Sequence, residues 1–577
     1  MRRAIIFTIA AILTLTLNLA AQVREEVEVT KVYVPKVEQA TKIVVTPDLT
    51  DTVKIRPEID YTVSPRVLST NYSARLFKPA TVTYWEFNRH LPLYLKIGAG
   101  LPLNSVAELY LSTQNPDIGY ASLYVNHKGE YSDIRNDAFK KESATQMDNR
   151  IGVVAGRYLN RHILEGEFYY DNRLRHRYGA SFADDDFMVG SSVNFGDAGF
   201  RLRIGDDFDD KHRVNFNVLL GGHYFYDNSE RVTMNEVSQM DAFADGRLGF
   251  RIGRHYLGLI ASFDAVWGRG DISKYRNLNY RAALRYSFTT ESVDSEVGLD
   301  YYHSQIRTDS RKRGFDYILP FMKLRFNIGD GAFVPYVELD GDLSKRDFRS
   351  LALENPYVVT GLSLDKNSVN YNIRAGAEGN FSSRFSYRLY LGLTFGENSP
   401  YWYGLNFPNG DVANGNYLQF GVEQARHNYS TAGLDIGWKI ARDFMFDFSI
   451  QGYIHGGSAY LYDHRLSCGL PSLKSKLSLK YEHRSFTIGA SAALLSSRYW
   501  TNLSIVRLNN IEQTTQFVFS NYHVPVTVDI SIYGEVKLSR AVDLFVEGRN
   551  LANAGLYDWA NYPLRGVGFT AGVKMQF

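Results

Sequence analysis

Val567–Phe577 reads V-G-F-T-A-G-V-K-M-Q-F. Side chains alternate across an extended chain with a period of two. Val567, Phe569, Ala571, Val573, Met575 and Phe577 therefore share one face, which is apolar. Gly568, Thr570, Gly572, Lys574 and Gln576 share the other, which is polar. A strand of about ten residues suits a tilted crossing of a bilayer. A strand this apolar, finishing on an aromatic residue, is expected to close a transmembrane barrel. It would pair with the first strand and so remove the sheet edge.

The chain has 577 residues, of which 45% are hydrophobic. Beyond the first 21 residues there is no apolar run of about 18 residues, so no membrane-crossing helix is expected. Tyr is abundant at 40 residues, beside 35 Phe, as expected of pleated surfaces and interfacial girdles. A net charge of +2 offers no electrostatic footprint for nucleic acid. Cys468 is the only cysteine, which excludes an intrachain disulfide and a cysteine metal cluster.

Residues 1–21 read as a secretory signal. Arg2 and Arg3 precede the apolar run 4–17, and Leu19-Ala20-Ala21 precedes Gln22 as the expected cleavage site. Residues 22–92 alternate β-branched and charged residues but are broken by Pro35, Pro47, Pro57 and Pro65. They are expected to form an extended segment in the periplasm or threading the barrel, since about 70 residues build a small core at most.

From residue 93 onward, strand-like segments recur. Phe444–Gln451, Met322–Ile328 and Ser531–Leu538 each alternate a fatty and a polar face. Connections of two kinds separate them. Short ones fall at 160–162, 209–212, 253–255, 290–292, 330–331, 382–384, 441–443, 483–485 and 539–541. Longer polar ones fall at 133–147, 228–237, 308–314, 348–366, 399–426, 460–471, 501–523 and 553–562, with two less sharply bounded near 180–196 and 270–276. Short turns at one end and long loops at the other describe an outer-membrane barrel. Ten long loops imply twenty strands, and Leu93–Gly100 with Val106–Gln114 add two. The expected fold is all-β: a transmembrane antiparallel up-and-down barrel over 93–577, of about 22 strands, with 20 as the alternative.

Asn550-Leu551, Tyr562-Pro563-Leu564, Gly566, Phe569, Gly572 and Phe577 resemble the last hairpin of TonB-dependent receptors. The likeness covers about the last 30 residues and implies a 22-stranded barrel. The Gly-Arg pair common before that last strand stands reversed here, as Arg565-Gly566. Family members carry a plug domain of well over a hundred residues; here only 22–92 precedes the first strand, and no TonB-contacting box is recognisable in it. The resemblance is thus to plugless, receptor-type barrels of Bacteroidota, and the lumen would need filling by inward-folded loops, by 22–92 or by another polypeptide.

The polar face is expected to line the lumen. It carries Arg201, Arg203, Arg247, Arg251, Arg285, Lys323 and Arg325, and Asp294, Glu296, Asp300, Glu338, Asp340 and Asp342. These charges either pair with one another across a wet wall or form a selective pathway or a seat for a charged partner. Lys474, Lys476 and Lys480 make a basic stripe, read as a solvated face. Tyr401, Trp402, Tyr403 and Phe407 are expected in an outside loop, as a platform for sugar or protein or as an interfacial girdle. Arg173, Arg175, His176 and Arg177 are candidates for lipopolysaccharide phosphates. Asp184–Asp186 and Asp206, Asp207, Asp209 and Asp210 match no metal-ligand spacing. His303 and Ser304 are adjacent and so face opposite ways on a strand, which defeats a simple dyad. No catalytic site, metal or cofactor is expected.

The expected function is that of a non-enzymatic outer-membrane component of a protein complex for assembly, secretion or surface export. The alternatives are nutrient uptake with a separate plug or surface lipoprotein, and a passive pore. The expected partners are outer-membrane lipids, lipopolysaccharide and protein subunits, with no nucleic acid.

Overall fold

The computed structural model describes residues 92–577 apart from 116, 136, 138–140, 180–191, 207–212, 230–235, 329–330, 407–417 and 508–514. The chain separates into Met1–Arg66 and Val67–Phe577, and every described residue lies in the second. The expected signal, nearly all of the 22–92 segment, Phe407 and Asp184–Asp186 lie outside the described residues.

Among the described residues, 24 strands share one sheet, and 22 of them close into an antiparallel barrel. In chain order these are β1 Leu93–Leu101, β2 Asn104–Asn115, β3 Gly119–Glu130, β4 Gln146–Leu159, β5 His162–His176 and β6 Ser192–Asp206. Then come β7 Val214–Asp227, β8 Val237–Ile252, β9 His255–Gly270, β10 Arg276–Thr289, β11 Val293–Arg307 and β12 Lys312–Phe326. They continue with β13 Val334–Ser344, β14 Ser368–Ser382, β15 Phe385–Asn406, β16 Gln419–Ala441 and β17 Phe444–Gly456. The last are β18 Leu473–Glu482, β19 Phe486–Leu495, β20 Thr527–Lys537, β21 Val542–Arg549 and β22 Gly568–Gln576. Helix α1, Phe348–Glu354, lies between β13 and β14.

The closing strand behaves as its alternation requires. β22 pairs with β21 on one side and with β1 on the other, in register from Tyr94↔Gln576 to Leu101↔Phe569. Phe569 and Phe577 are exposed and Val573 and Met575 half-buried, all on the outer face; Lys574 turns inward to Glu535, 3.3 Å away. The same rule orders the whole wall. Phe168, Phe200, Leu202, Leu248, Leu284, Leu299, Ile318 and Leu391 are exposed large apolar side chains on the outer face. An apolar outer surface is stable only against lipid. No described helix is long and apolar enough to cross a membrane.

Connections at the end holding Leu93 and Phe577 are short. Four of them are two-residue turns, 160–161, 253–254, 383–384 and 442–443, and in the first two Asn160 (φ 55°) and Gly253 (φ 61°) take the left-handed conformation. Such turns match the twist of the flanking strands. The opposite end carries the long segments 131–145, 177–191, 345–367, 457–472, 496–526 and 550–567.

Two expectations change here. The segment 501–523 is not a loop but part of a hairpin, Arg498–Arg507 with Thr515–Val524. It joins the sheet only through parallel pairing of Gly404–Asn406 with Asn502–Ser504, while β19 pairs directly with β20. The barrel count therefore stays at 22. Likewise most of 399–426 is strand, because β15 and β16 run past the wall as a long ribbon, with a register shift between Gly396 and Ser399.

Candidate functional site

The interior separates into a charged wall and an apolar cap. Along the wall, acidic and basic strands alternate. Asp294 on β11 registers with Arg325 on β12, Glu296 with Lys323, and Lys323 in turn with Glu338 on β13. Side chains directly opposite on neighbouring strands interact. Arg285 reaches Asp300 at 2.7 Å, and Arg281 reaches the same carboxylate at 3.2 Å. Glu338 lies 3.6 Å from Arg325 and 3.5 Å from Arg374. Arg201 lies 3.4 Å from Glu167, and Arg247 lies 3.1 Å from Asp245. Asp294 accepts from Thr289 and Asp340 from Asn372. Lys323 stands over the Phe321 ring and Arg251 over the Tyr256 ring. Arg203, on the same face as Arg201, registers with Glu165. Lys474 lies over the Tyr453 ring, and Lys480 pairs with Glu482. Here the wall neutralises itself strand by strand.

The cap gathers at the long-loop end. Its centre is Tyr562, whose ring stacks on Tyr357 at 3.7 Å and meets Tyr178 edge-on at 5.1 Å. Phe420 and Trp559 continue the cluster, and Trp402 meets Trp559 at 5.3 Å. Polar tips are satisfied from other loops: Tyr562 donates to the Leu418 carbonyl at 2.6 Å and Tyr178 to that of Pro563 at 3.0 Å. Asp137 accepts from Tyr522, Tyr557 and Asn561. Arg565 donates to Glu130, Ser132 and the Ala144 carbonyl. Burying rings with their hydroxyls bonded avoids the penalty for orphaned polar groups.

Segment 345–367 ties this cap to the wall. Asp347 caps α1, accepting from the Ser350 amide at 2.7 Å, and the Ser350 hydroxyl completes a reciprocal capping box. Phe348, Leu351 and Ala352 face the apolar cluster, with Phe348 edge-on to Phe225 of β7. Trp402 donates to Glu354 at 2.8 Å. Asn367 joins Asn277, Asn279 and Ser304 in a buried amide network. Lys345 lies 3.2 Å from Asp241, 3.0 Å from Asp264 and 3.4 Å from Asp347. Burial opposes its charge, but those three carboxylates outweigh it and hold the ammonium above the usual lysine range. Arg349 forks onto Asp197 at 3.0 and 2.5 Å.

Several site expectations move accordingly. Tyr401, Trp402 and Tyr403 belong to β15, not to an outside loop; Tyr401 and Trp402 are buried, so they offer no open platform. Arg173 donates to the Leu353 carbonyl of α1, Arg175 forks onto Asp148, and Arg177 is buried. Arg173 and Arg175 are thus bonded within the protein. Asp206 serves the turn end, accepting from the Phe216 amide beside Arg161 and His162. His303 and Ser304 do part company: His303 meets Asp316 at 2.8 Å, while Ser304 accepts from Asn367. Lys345, Arg349 and α1 went unread in the sequence, although Asp347 is a residue type that caps helix starts.

No described protein family and no curated protein matches the chain. Solved structures do. The "Copper transporter OprC" superposes with a TM-score of 0.61 at 14% identity, over 84% of this chain and 80% of that one. The "FrpB iron transporter from Neisseria meningitidis (F3-3 variant)" gives 0.63 at 10% identity, over 85% and 82%. The "Pyoverdine outer membrane receptor FpvA from Pseudomonas aeruginosa PAO1 bound to pyoverdine" gives 0.61 at 10%, over 85% and 79%. At these identities the likeness is one of fold. With its lipid-facing wall and closed 22-strand sheet, the protein is an outer-membrane β-barrel similar in fold to these solved transporters and receptor.

Proposed function

We propose that this barrel is a gated outer-membrane transporter that takes a polar solute inward from the long-loop end, with the cap as its outer gate. The observation that carries this reading is the cap itself. Loops from all round the barrel converge on Tyr562 and Tyr357 above a wall of paired charges. A passive pore gains nothing from an apolar core built across its mouth, whereas a gate needs a closed state stable enough to hold. The fold shared with copper and iron transporters and a pyoverdine receptor supports the same direction. In this reading 1–21 is the export signal. The test is uptake: cells with and without this protein, each with and without TonB, are compared for accumulation of a panel of labelled polar solutes. Accumulation of at least one solute should need both. A panel with no dependent solute removes the reading.

A second reading, a non-enzymatic component of an assembly, secretion or export complex, is favoured by the hairpin 498–524. It stands off the wall with rings exposed, Tyr499 on His523 and Phe517 on Tyr462. Purification in mild detergent should then recover a stoichiometric partner; a lone monodisperse barrel counts against it.

A further inference from the structure

Most charges on the lumen wall are balanced within the barrel, but three carboxylates on β6, β8 and β9 near the mouth take their cations from a single cap segment. Asp197 on β6, Asp241 on β8 and Asp264 on β9 lie within seven residues of the long-loop ends of their strands. Their counter-charges come from the cap: Arg349 for Asp197, and Lys345 for Asp241 and Asp264. Both cations belong to one segment, 345–367, rooted between β13 and β14. Asp197 and Asp241 are buried, with side chains 5% and 1% exposed. The Asp197 Oδ1 atom is also buried without a hydrogen-bond partner among the described residues; the His223 ring lies 3.9 Å away.

Lifting the cap would strip all three carboxylates of their cations at once. Removing one partner of a buried ion pair is strongly destabilising, because the other charge is left uncompensated. Replacement positive charge at the same place therefore favours the opened cap. Resting on the gate reading above, we propose that Lys345 and Arg349 act as an internal stand-in for the solute, so that the solute is cationic and opens the cap by taking over Asp197, Asp241 and Asp264. A ligand shifts an equilibrium only by its differential affinity for the two states. Here the differential is built in, since the carboxylates are free to bind only when the cap is lifted. An anion finds no such gain at this position.

The test follows the cap directly. Spin labels go on Ser363→Cys, an exposed cap position, and Arg484→Cys in the turn at the opposite end, with the native thiol removed as Cys468→Ala. The full chain is reconstituted in lipid, and the label separation is read while adding spermidine, maltotriose or tricarballylate at matched ionic strength. Spermidine should lengthen the separation, and the neutral and anionic probes should leave it unchanged. Lys345→Gln with Arg349→Gln should give the lengthened state with no probe, while Lys345→Arg with Arg349→Lys should stay closed. Asp197→Asn with Asp241→Asn should weaken the spermidine response by about tenfold or more. A separation that ignores spermidine, or answers all three probes alike, overturns the proposal. If that happens while TonB-dependent uptake of some solute persists, the latch is wrong and the transport reading stands. If the Gln pair fails to assemble, the spermidine titration of the otherwise unaltered labelled barrel still decides.

Discussion

Asp558 is the residue whose surroundings most directly set a condition on the cap. Burial pushes its carboxyl up to about 6, against the pull of Arg175 and Arg498. Folding therefore favours the protonated acid. The stabilisation is complete below the ordinary carboxyl value of 3.8 and is lost as pH rises through about 6. Amide hydrogen exchange across 550–567, corrected for intrinsic rate, should show stronger protection at about pH 4 than at about pH 8. Asp558→Asn should remove that difference and hold the stronger protection throughout; a pH-independent wild type would refute the assignment. At this scale the sequence is least legible. In Pro400-Tyr401-Trp402-Tyr403 nothing distinguishes a ring displayed to solvent from one buried under another loop. Trp402 is buried because Trp559 and Glu354, far away in the chain, arrive beside it.

Among elements, the strands were the easiest to read. Along β15, Leu389, Leu391, Leu393 and Phe395 all project outward into lipid. The period-two pattern states this with no knowledge of neighbours, since the pleat alone fixes the face. Leu391→Arg places a charge on the lipid face and should cost about 2–4 kcal/mol if the site lies near the bilayer midplane. Urea titration of the barrel in lipid measures it, and a shift of a few tenths would mean that this face does not meet lipid. Helix α1 is the opposite case. At seven residues it is shorter than an isolated helix can sustain in water. It exists because Phe348, Leu351 and Ala352 find the cap core and because Asp347 and Ser350 close its first turn. The hairpin 498–524 escaped notice for a related reason. Its polar residues, such as Thr501, Asn502 and Ser504, read as loop, and only their pairing with Asn521, Ser520 and Val518 makes them strand.

For the whole molecule, the seam between first and last strands decides whether the barrel closes. Lys96 and Lys574 are direct register partners there. Their repulsion is relieved by Glu547, 2.9 Å from Lys96, and by Glu535, 3.3 Å from Lys574. Lys96→Glu should repel Glu547 and Glu108 and lower the yield of closed barrel. The exchange Lys96→Glu with Glu547→Lys should recover part of it. The fraction that migrates as a compact band before heating reports closure; equal yields for the single and double variants would show that the pair does not contribute.

The strand count, the apolar outer face, the two unlike ends and the closing role of Val567–Phe577 were all present in the sequence. They follow from local rules: alternation, turn length and the need to leave no edge in a bilayer. The pairing of wall charges was foreseeable as one of two readings, because acidic and basic strands succeed one another in the chain. The cap was not. Tyr178, Tyr357, Phe420 and Tyr562 lie up to 384 residues apart, on three different loops and the end of β16. Only closure of the barrel brings those loops over one opening, and only there do Lys345 and Arg349 meet carboxylates from β6, β8 and β9. Periodicity carries the wall because a wall is made of neighbours; the cap is made of distant segments whose meeting place the ring of strands creates.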